Sequence, residues 1–315
     1  MKMKLCALMV FAMPCAFAQQ NDTWVDVQHQ NTHNTLKSWA NRMDDWFGEP
    51  DPNHPASANL RVMLDTNWDK YDGVRVKPRV RGRVKLPVLE RKVSVVFGDD
   101  DLDHEIVNSS RDELNRPMVY NNDKWLNARS SRNENSSLAL RWSNISKKQG
   151  IDTDADIGVR SGDDVYLRLK ASKTWKHGQH YTTKLEQMYR YGLDSKHFAR
   201  SSMEVKRAQA DDVFVANYVH ADYVDNDDEK GWSWGNSLYR QHNLSGNRRL
   251  NYGVQVGGAL SGDGHRLNSY GLFASWRQPV WRDWLFVQPE VRYANNRDED
   301  RKHYPSVLFR VEAIF

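Results

Sequence analysis

The densest charge pattern in the sequence is an alternation. Arg75, Lys77, Arg79, Arg81, Arg83 and Lys85 stand at every second position, with Val74, Val76, Pro78, Val80, Gly82, Val84 and Leu86 between and around them. Residues two apart share one face of an extended strand, so the segment presents a row of cations on one side and an apolar ridge on the other. Such a row suits electrostatic selection of an anion in a wet passage, as rings of Arg and Lys do in pores. Arg168 and Lys170 are further basic positions of the same kind. Asp152, Asp154 and Asp156 alternate likewise with the opposite charge and are the expected acidic partners. If they neutralise the basic row across an interior, the long side chains are filling rather than a pathway.

Catalytic constellations are weaker. A nucleophile and a base on one strand need His-x-Ser spacing, and none of the 11 histidines has a serine two residues later. A near variant, His180-Tyr181-Thr182, is expected to be polar lining. Asp225, Asp227, Asp228 and Glu229, and the acidic run 99–103, offer oxygens that could hold Ca²⁺ or bridge lipopolysaccharide but are expected to be solvated loops. His29, His33 and His54 share no frame that makes them converge on a metal. No catalytic residue, metal site or cofactor is expected. Lys+Arg 45 against Asp+Glu 41 is too balanced a charge to point to nucleic acid.

The elements that must position these residues follow from periodicity. Lys2 and Lys4, an apolar stretch over 5–13 and Ala16-Phe17-Ala18 read as a secretory signal peptide over 1–18, with maturation near Gln19. Cys6 and Cys15 fall inside it, and Pro14 before Cys15 disfavours lipidation. Segment 19–57 carries Leu36, Trp39, Ala40, Met43, Trp46 and Phe47 at helical spacing, stopped by Gly48 and Pro50. This short amphipathic helix is expected on the mouth or wall of the following domain, with the periplasmic mouth preferred; membrane-surface contact and plugging are the alternatives.

From 58 to 315 the period is two. Strands are expected at 59–69, 73–86, 91–98, 137–144, 152–160, 164–175, 179–191, 197–206, 212–224, 231–241, 249–261, 267–278, 283–294 and 304–315. The patterns at 91–98, 197–206 and 231–241 are the weakest, so a count of twelve is the alternative to fourteen. Segment 99–136 is a long polar insertion, expected as the longest external loop.

A soluble sandwich also alternates, but its strands usually run about five or six residues; here most reach the roughly 9 to 11 needed to cross a bilayer at a tilt. Aromatics such as Trp68, Trp175, Tyr191, Tyr270 and Tyr293 fall near strand ends, where interfacial girdles lie. The last segment alternates Pro305, Val307, Phe309, Val311, Ala313 and Phe315 with polar and mixed positions. In these features the sequence resembles bacterial outer-membrane β-barrel proteins of the porin-like class. The resemblance implies that Phe309, Val311 and Phe315 are an assembly signal read by the barrel-assembly machinery. It also implies a site in the outer membrane, among its lipids and lipopolysaccharide.

The expected fold is therefore all-β, a transmembrane antiparallel barrel of about fourteen strands with a short N-terminal helix. A mean hydropathy of -0.81 excludes a helical membrane protein but is natural for a chain whose alternate residues face lipid and water. The expected function is a porin-like channel for passive, anion-favouring diffusion of small solutes. The alternatives are a filled structural or adhesion-type barrel acting through its external loops and, below that, an outer-membrane lipid hydrolase.

Overall fold

A computed structural model describes residues 23–46, 56–88, 93–98, 137–143, 150–160, 164–226, 230–262 and 264–315. The leader, Cys6, Cys15, His54, the acidic run 99–103 and the rest of 99–136, and Asp227, Asp228 and Glu229 lie outside these residues. Helix α1 (Trp24–Asp45) precedes β1 (Ser57–Asp69), β2 (Gly73–Leu86), β3 (Val93–Gly98), β4 (Ser137–Ser143), β5 (Ile151–Arg160), β6 (Asp164–His177) and β7 (Tyr181–Gly192). The wall continues with β8 (Lys196–Ala210), β9 (Val213–Asp225), β10 (Lys230–Leu244), β11 (Arg248–Ala259), β12 (Ser269–Val280), β13 (Arg282–Asn296) and β14 (Arg301–Ile314).

Each strand pairs antiparallel with its neighbours in the chain, and β1 pairs with β14, so the sheet closes on itself. Closure matters because a backbone N–H or C=O facing hydrocarbon has no water to bond, and an open edge would leave a row of them bare. The fourteen strands expected from alternation are all present, including the three weakest patterns, which form β3, β8 and β10.

The two faces of the wall differ as the alternation requires. Leu64 (45% exposed), Val74 (66%), Leu138 (59%) and Leu272 (58%) look outward, while Asp65, Arg79, Arg141 and Arg277 are buried inside. An apolar outside and a charged inside invert a soluble protein, and only a lipid exterior makes that arrangement stable. The chain is a transmembrane barrel.

One end of the barrel, here the terminal end, holds the start of β1 and the close of β14; the other is the far end. The terminal end carries the short turns 178–180, 211–212 and 245–247. The end of β3 and the start of β4, which 99–136 joins, and the end of β11 and start of β12 are at the far end.

Helix α1 begins at Trp24, twelve residues before Leu36, where its apolar spacing starts. Asp26 sets that start, its carboxylate accepting from the Thr23 backbone N–H at 2.8 Å and hydroxyl at 2.7 Å. Its second half packs on the outside of the barrel. Ala40 and Met43 pack on Ala56, Ala58, Val84, Leu86, Val95 and Phe97. Val84 is opposite Ala58 and Val95, and Val95 opposite Leu140, all in step with the outward apolar positions. The second half of the helix therefore lies on the outer wall at the terminal end, while Asp26 and His29 of its first half meet Arg282, Trp284 and the Ile314 carbonyl at the rim of the terminal mouth. The physical reason is that its small apolar side chains match the ridge of β1 and β2, whereas the inner side there carries Arg83 and Lys85. Trp24, Trp39 and Trp46, 63 to 82% exposed, flank the packed face.

Candidate functional site

The inward positions of the wall form the site. β2 places Arg75, Lys77, Arg79, Arg81, Arg83 and Lys85 on the lumen face by its register with β1, where Asn67 is opposite Arg75, Asp65 opposite Lys77 and Arg61 opposite Arg81. Proline at 78 and glycine at 82 are accommodated on the outward side, and the ring of Phe97 lies over Gly82 where any Cβ would be.

Among the described residues, the ion pairs and hydrogen bonds seen for this row are to β1, β3, β4 and the adjoining turn, not across the lumen. Arg75 pairs with Asp69 at 3.1 Å and Asp72 at 3.2 Å, and Arg79 with Asp65 at 3.5 Å. Arg83 donates to Ser94 Oγ and Ser143 Oγ, both at 3.2 Å. Arg81 is buried, Lys77 is half-buried, and Lys85 is exposed at the terminal end of the lumen.

Asp152, Asp154 and Asp156 divide. Asp156 is fully buried and is held by Arg141 at 2.8 and 2.9 Å and by a short contact from Arg168. Asp152 and Asp154 share the inward face of β5, opposite Ser172 and Lys170, but form no ion pair among the described residues. None of the three meets the 75–85 row, because the antiparallel register puts β4 and β6, and not β2, beside β5.

A pattern emerges that the sequence does not display. Glu312 pairs with Arg61 at 3.2 Å and with Arg277. Asp65 pairs with Arg310 at 2.5 and 2.8 Å and with Arg79. Asp156 pairs with Arg141 and Arg168, and Glu186 with Lys170 at 3.4 Å and Lys184 at 3.0 Å. Among the described residues each of these carboxylates serves two cations, so each group so described has one cation more than carboxylates while its members stay paired. Buried charges are tolerable only when neutralised or nearly so by close partners, and sharing achieves this without cancelling the field.

Other inward pairs are closer to neutral, such as Arg200 with Asp222 at 2.6 and 2.5 Å and Arg292 with Glu290 at 2.5 Å. Arg200, Glu204 and Asp222 were not evident as lumen residues from the sequence. On β8 the outward set is Ala199, Ser201, Met203, Val205 and Arg207, too mixed to mark a lipid face; pairing with the clear pattern of β9 is what assigns it.

The remaining candidates do not assemble. His180 stands exposed in the turn before β7, and Thr182 is opposite Lys176 and Lys206 on the lumen side. His29 belongs to the docking of α1: its Nε2 lies 2.8 Å from the Ile314 carbonyl oxygen and its ring stacks on Trp284 and Phe315 at 4.1 and 4.7 Å. No group of three metal-ligating side chains converges among the described residues. Asp225 accepts from Tyr223 Oη at 3.0 Å and pairs with Lys230 at 3.2 Å at the far rim. Phe309 and Val311 look outward on β14, and the backbone of Phe315 pairs both ways with Leu60 at 2.8 and 3.2 Å.

No family model and no curated relative matches the chain. Among solved structures it is similar to the outer membrane channel DcaP of Acinetobacter baumannii, at 10% identity over 85% of this chain and 99% of that one, TM-score 0.48. It is also similar to OprB of Pseudomonas putida in a low-pH structure, at 12% identity over 82% and 92%, TM-score 0.47. OmpT, an outer membrane protein of Vibrio cholerae, matches at 9% over 84% and 99%, TM-score 0.46. The class rests on the chain's own architecture: a closed antiparallel wall, apolar outside and charged within, makes this a transmembrane β-barrel protein.

Proposed function

We propose that the barrel is a porin-like channel through which small solutes diffuse passively, with anions favoured. The observation that carries this is the sharing of Glu312, Asp65, Asp156 and Glu186 between two cations each. A lumen stabilised only as filling would be best served by one-to-one pairs, which minimise leftover charge. Among the described residues four groups with a surplus cation, together with the half-buried Lys77, outweigh the inward Asp152 and Asp154 and favour a positive potential along the passage, which lowers the barrier for a negative solute.

Reconstitution in a planar bilayer under a salt gradient tests it. The expected result is stepwise conductance with a reversal potential favouring the anion, shifted toward neutrality in an Arg79→Gln/Arg81→Gln variant. Absence of conductance, or cation preference unchanged in that variant, overturns the proposal.

A further inference from the structure

The outer wall holds a second basic feature that conduction does not use. Across the terminal end one hydrogen-bonded row runs Tyr181, Arg207, Val215, Arg240, Tyr252 from β7 to β11. All five are in step with outward apolar residues: Leu238, 46% exposed, precedes Arg240 by two, and Val254, 45% exposed, follows Tyr252 by two. The inward neighbours Tyr239 and Gln241 are buried. Arg207 and Arg240 are thus exposed cations on the face that meets lipid. One strand separates them, which sets their backbones about 10 Å apart at the usual strand spacing.

Their surroundings distinguish them from the lumen arginines. The inward Arg61, Arg79, Arg141, Arg168, Arg200, Arg277, Arg292 and Arg310 all have carboxylate partners. Arg207 has instead the Tyr181 ring, 5.7 Å from its guanidinium carbon. Arg240 has no ion-pair partner among the described residues, although Asp211 and Asp212 stand in the adjoining turn. On the other side of Arg240, Tyr252 stacks with His242, ring centroids 5.8 Å apart.

An outward arginine is costly at the middle of a bilayer and nearly free of cost close to its surface. Arg207 precedes the end of β8 by three residues and Arg240 the end of β10 by four, which puts both at the headgroup level of the terminal end. Short turns mark the periplasmic end of such barrels and long loops the external one, and by that rule the terminal end faces the periplasm. The leaflet there is built of glycerophospholipids. Tyrosines on both flanks suit the same depth, since their rings sit in hydrocarbon and their hydroxyls in the headgroup layer.

We propose that Arg207 and Arg240, framed by Tyr181 and Tyr252, form a site on the outer wall for the phosphate of an anionic glycerophospholipid in the periplasmic leaflet. The lipid supplies the counter-charge that no carboxylate among the described residues provides, and its acyl chains continue down the outward face of β9 to β11, past Val219, Leu238 and Val254. The inference rests on the chain being a membrane barrel and is independent of whether the lumen conducts.

The test uses the full chain purified in a zwitterionic detergent, with dioctanoyl phosphatidylglycerol and dioctanoyl phosphatidylcholine as probes and native mass spectrometry as readout. Phosphatidylglycerol is expected to bind at least roughly tenfold more tightly than phosphatidylcholine, with that preference abolished in Arg207→Gln/Arg240→Gln, since each cation near a lipid surface contributes about 1 kcal/mol. Arg207→Lys/Arg240→Lys should retain much of it and provides the comparison should the glutamine variant fold poorly. Equal binding of the two lipids, unchanged preference in a folded glutamine variant, displacement by equimolar inorganic phosphate, or stronger capture of a phosphorylated lipid A fragment would each overturn the assignment.

Discussion

Asp26 near the start of α1 and Arg282 at the start of β13, 256 positions apart in the chain, are joined by two charge-assisted hydrogen bonds at 2.5 Å. The same carboxylate caps the helix through Thr23. One side chain therefore both begins the helix and fastens it to the barrel. Removing its partner should release the N-terminal half of α1 without opening the wall. In Arg282→Gln, amide hydrogen exchange over 24–32 is expected to rise well above wild type while exchange in β13 and β14 stays protected.

The fastening has a definite pH dependence. The Arg282 guanidinium, with help from the Thr23 backbone N–H, holds the Asp26 carboxyl well below its ordinary value of 3.8. A carboxyl more acidic when docked than when free contributes its stabilisation in full above the free value and loses it as pH falls toward the docked one. Exchange over 24–32 should thus be unaffected, after correction for intrinsic rates, between about pH 8 and pH 5 and should increase below 3.8. Asp26→Asn should erase that acid dependence.

Asp156 is the most consequential carboxylate of the wall, being fully buried between Arg141 and Arg168. Asp156→Asn takes from two buried guanidinium groups the counter-charge they share. Breaking a buried pair from one side typically costs about 3 to 5 kcal/mol. Equilibrium unfolding in denaturant, followed by the electrophoretic shift of the folded barrel, should show a loss of that order. Replacement of the exposed and unpaired Asp152 should leave the midpoint unchanged.

Gly98, at the end of β3, has φ +95° and the Val80 carbonyl oxygen where a Cβ would stand. Both conformation and space exclude a side chain. Gly98→Ala is expected to weaken the pairing of β2 with β3 and to lower the yield of folded barrel in refolding from denaturant into detergent micelles. Gly73→Ala tests the conformation alone, since φ there is +70° but nothing lies within 4 Å, and its effect should be smaller.

The strands were legible wherever the outward residues are uniformly apolar. On β2 every valine marks lipid and every arginine water, so bounds and facing follow from the residues themselves. β8 resists that approach, because Ser201 and Arg207 look outward and Phe198 inward, and only its neighbours fix the register. The first half of α1 was hidden for a related reason. Gln28, Gln30, Asn31 and Asn34 carry no apolar period, and the helix there depends on Asp26 and His29 meeting a barrel end made by residues more than 250 positions away. Sharing of carboxylates was unreadable in principle: alternation says which charges point inward, whereas partnership depends on which strands are adjacent and at what offset.

The footprint of α1 bridges the place where the wall joins itself. Arg282, Ile314 and Phe315 belong to β13, β14 and the residue after it, while Ala58, Val84 and Leu86 belong to β1 and β2. In an unclosed sheet these two sets are at opposite edges, and no single helix can touch both. Closure creates the landing surface, and by linkage the helix, once landed, stabilises closure by the same free energy. The N-terminal segment is in that sense a latch whose two catches exist together only when the last strand has found the first.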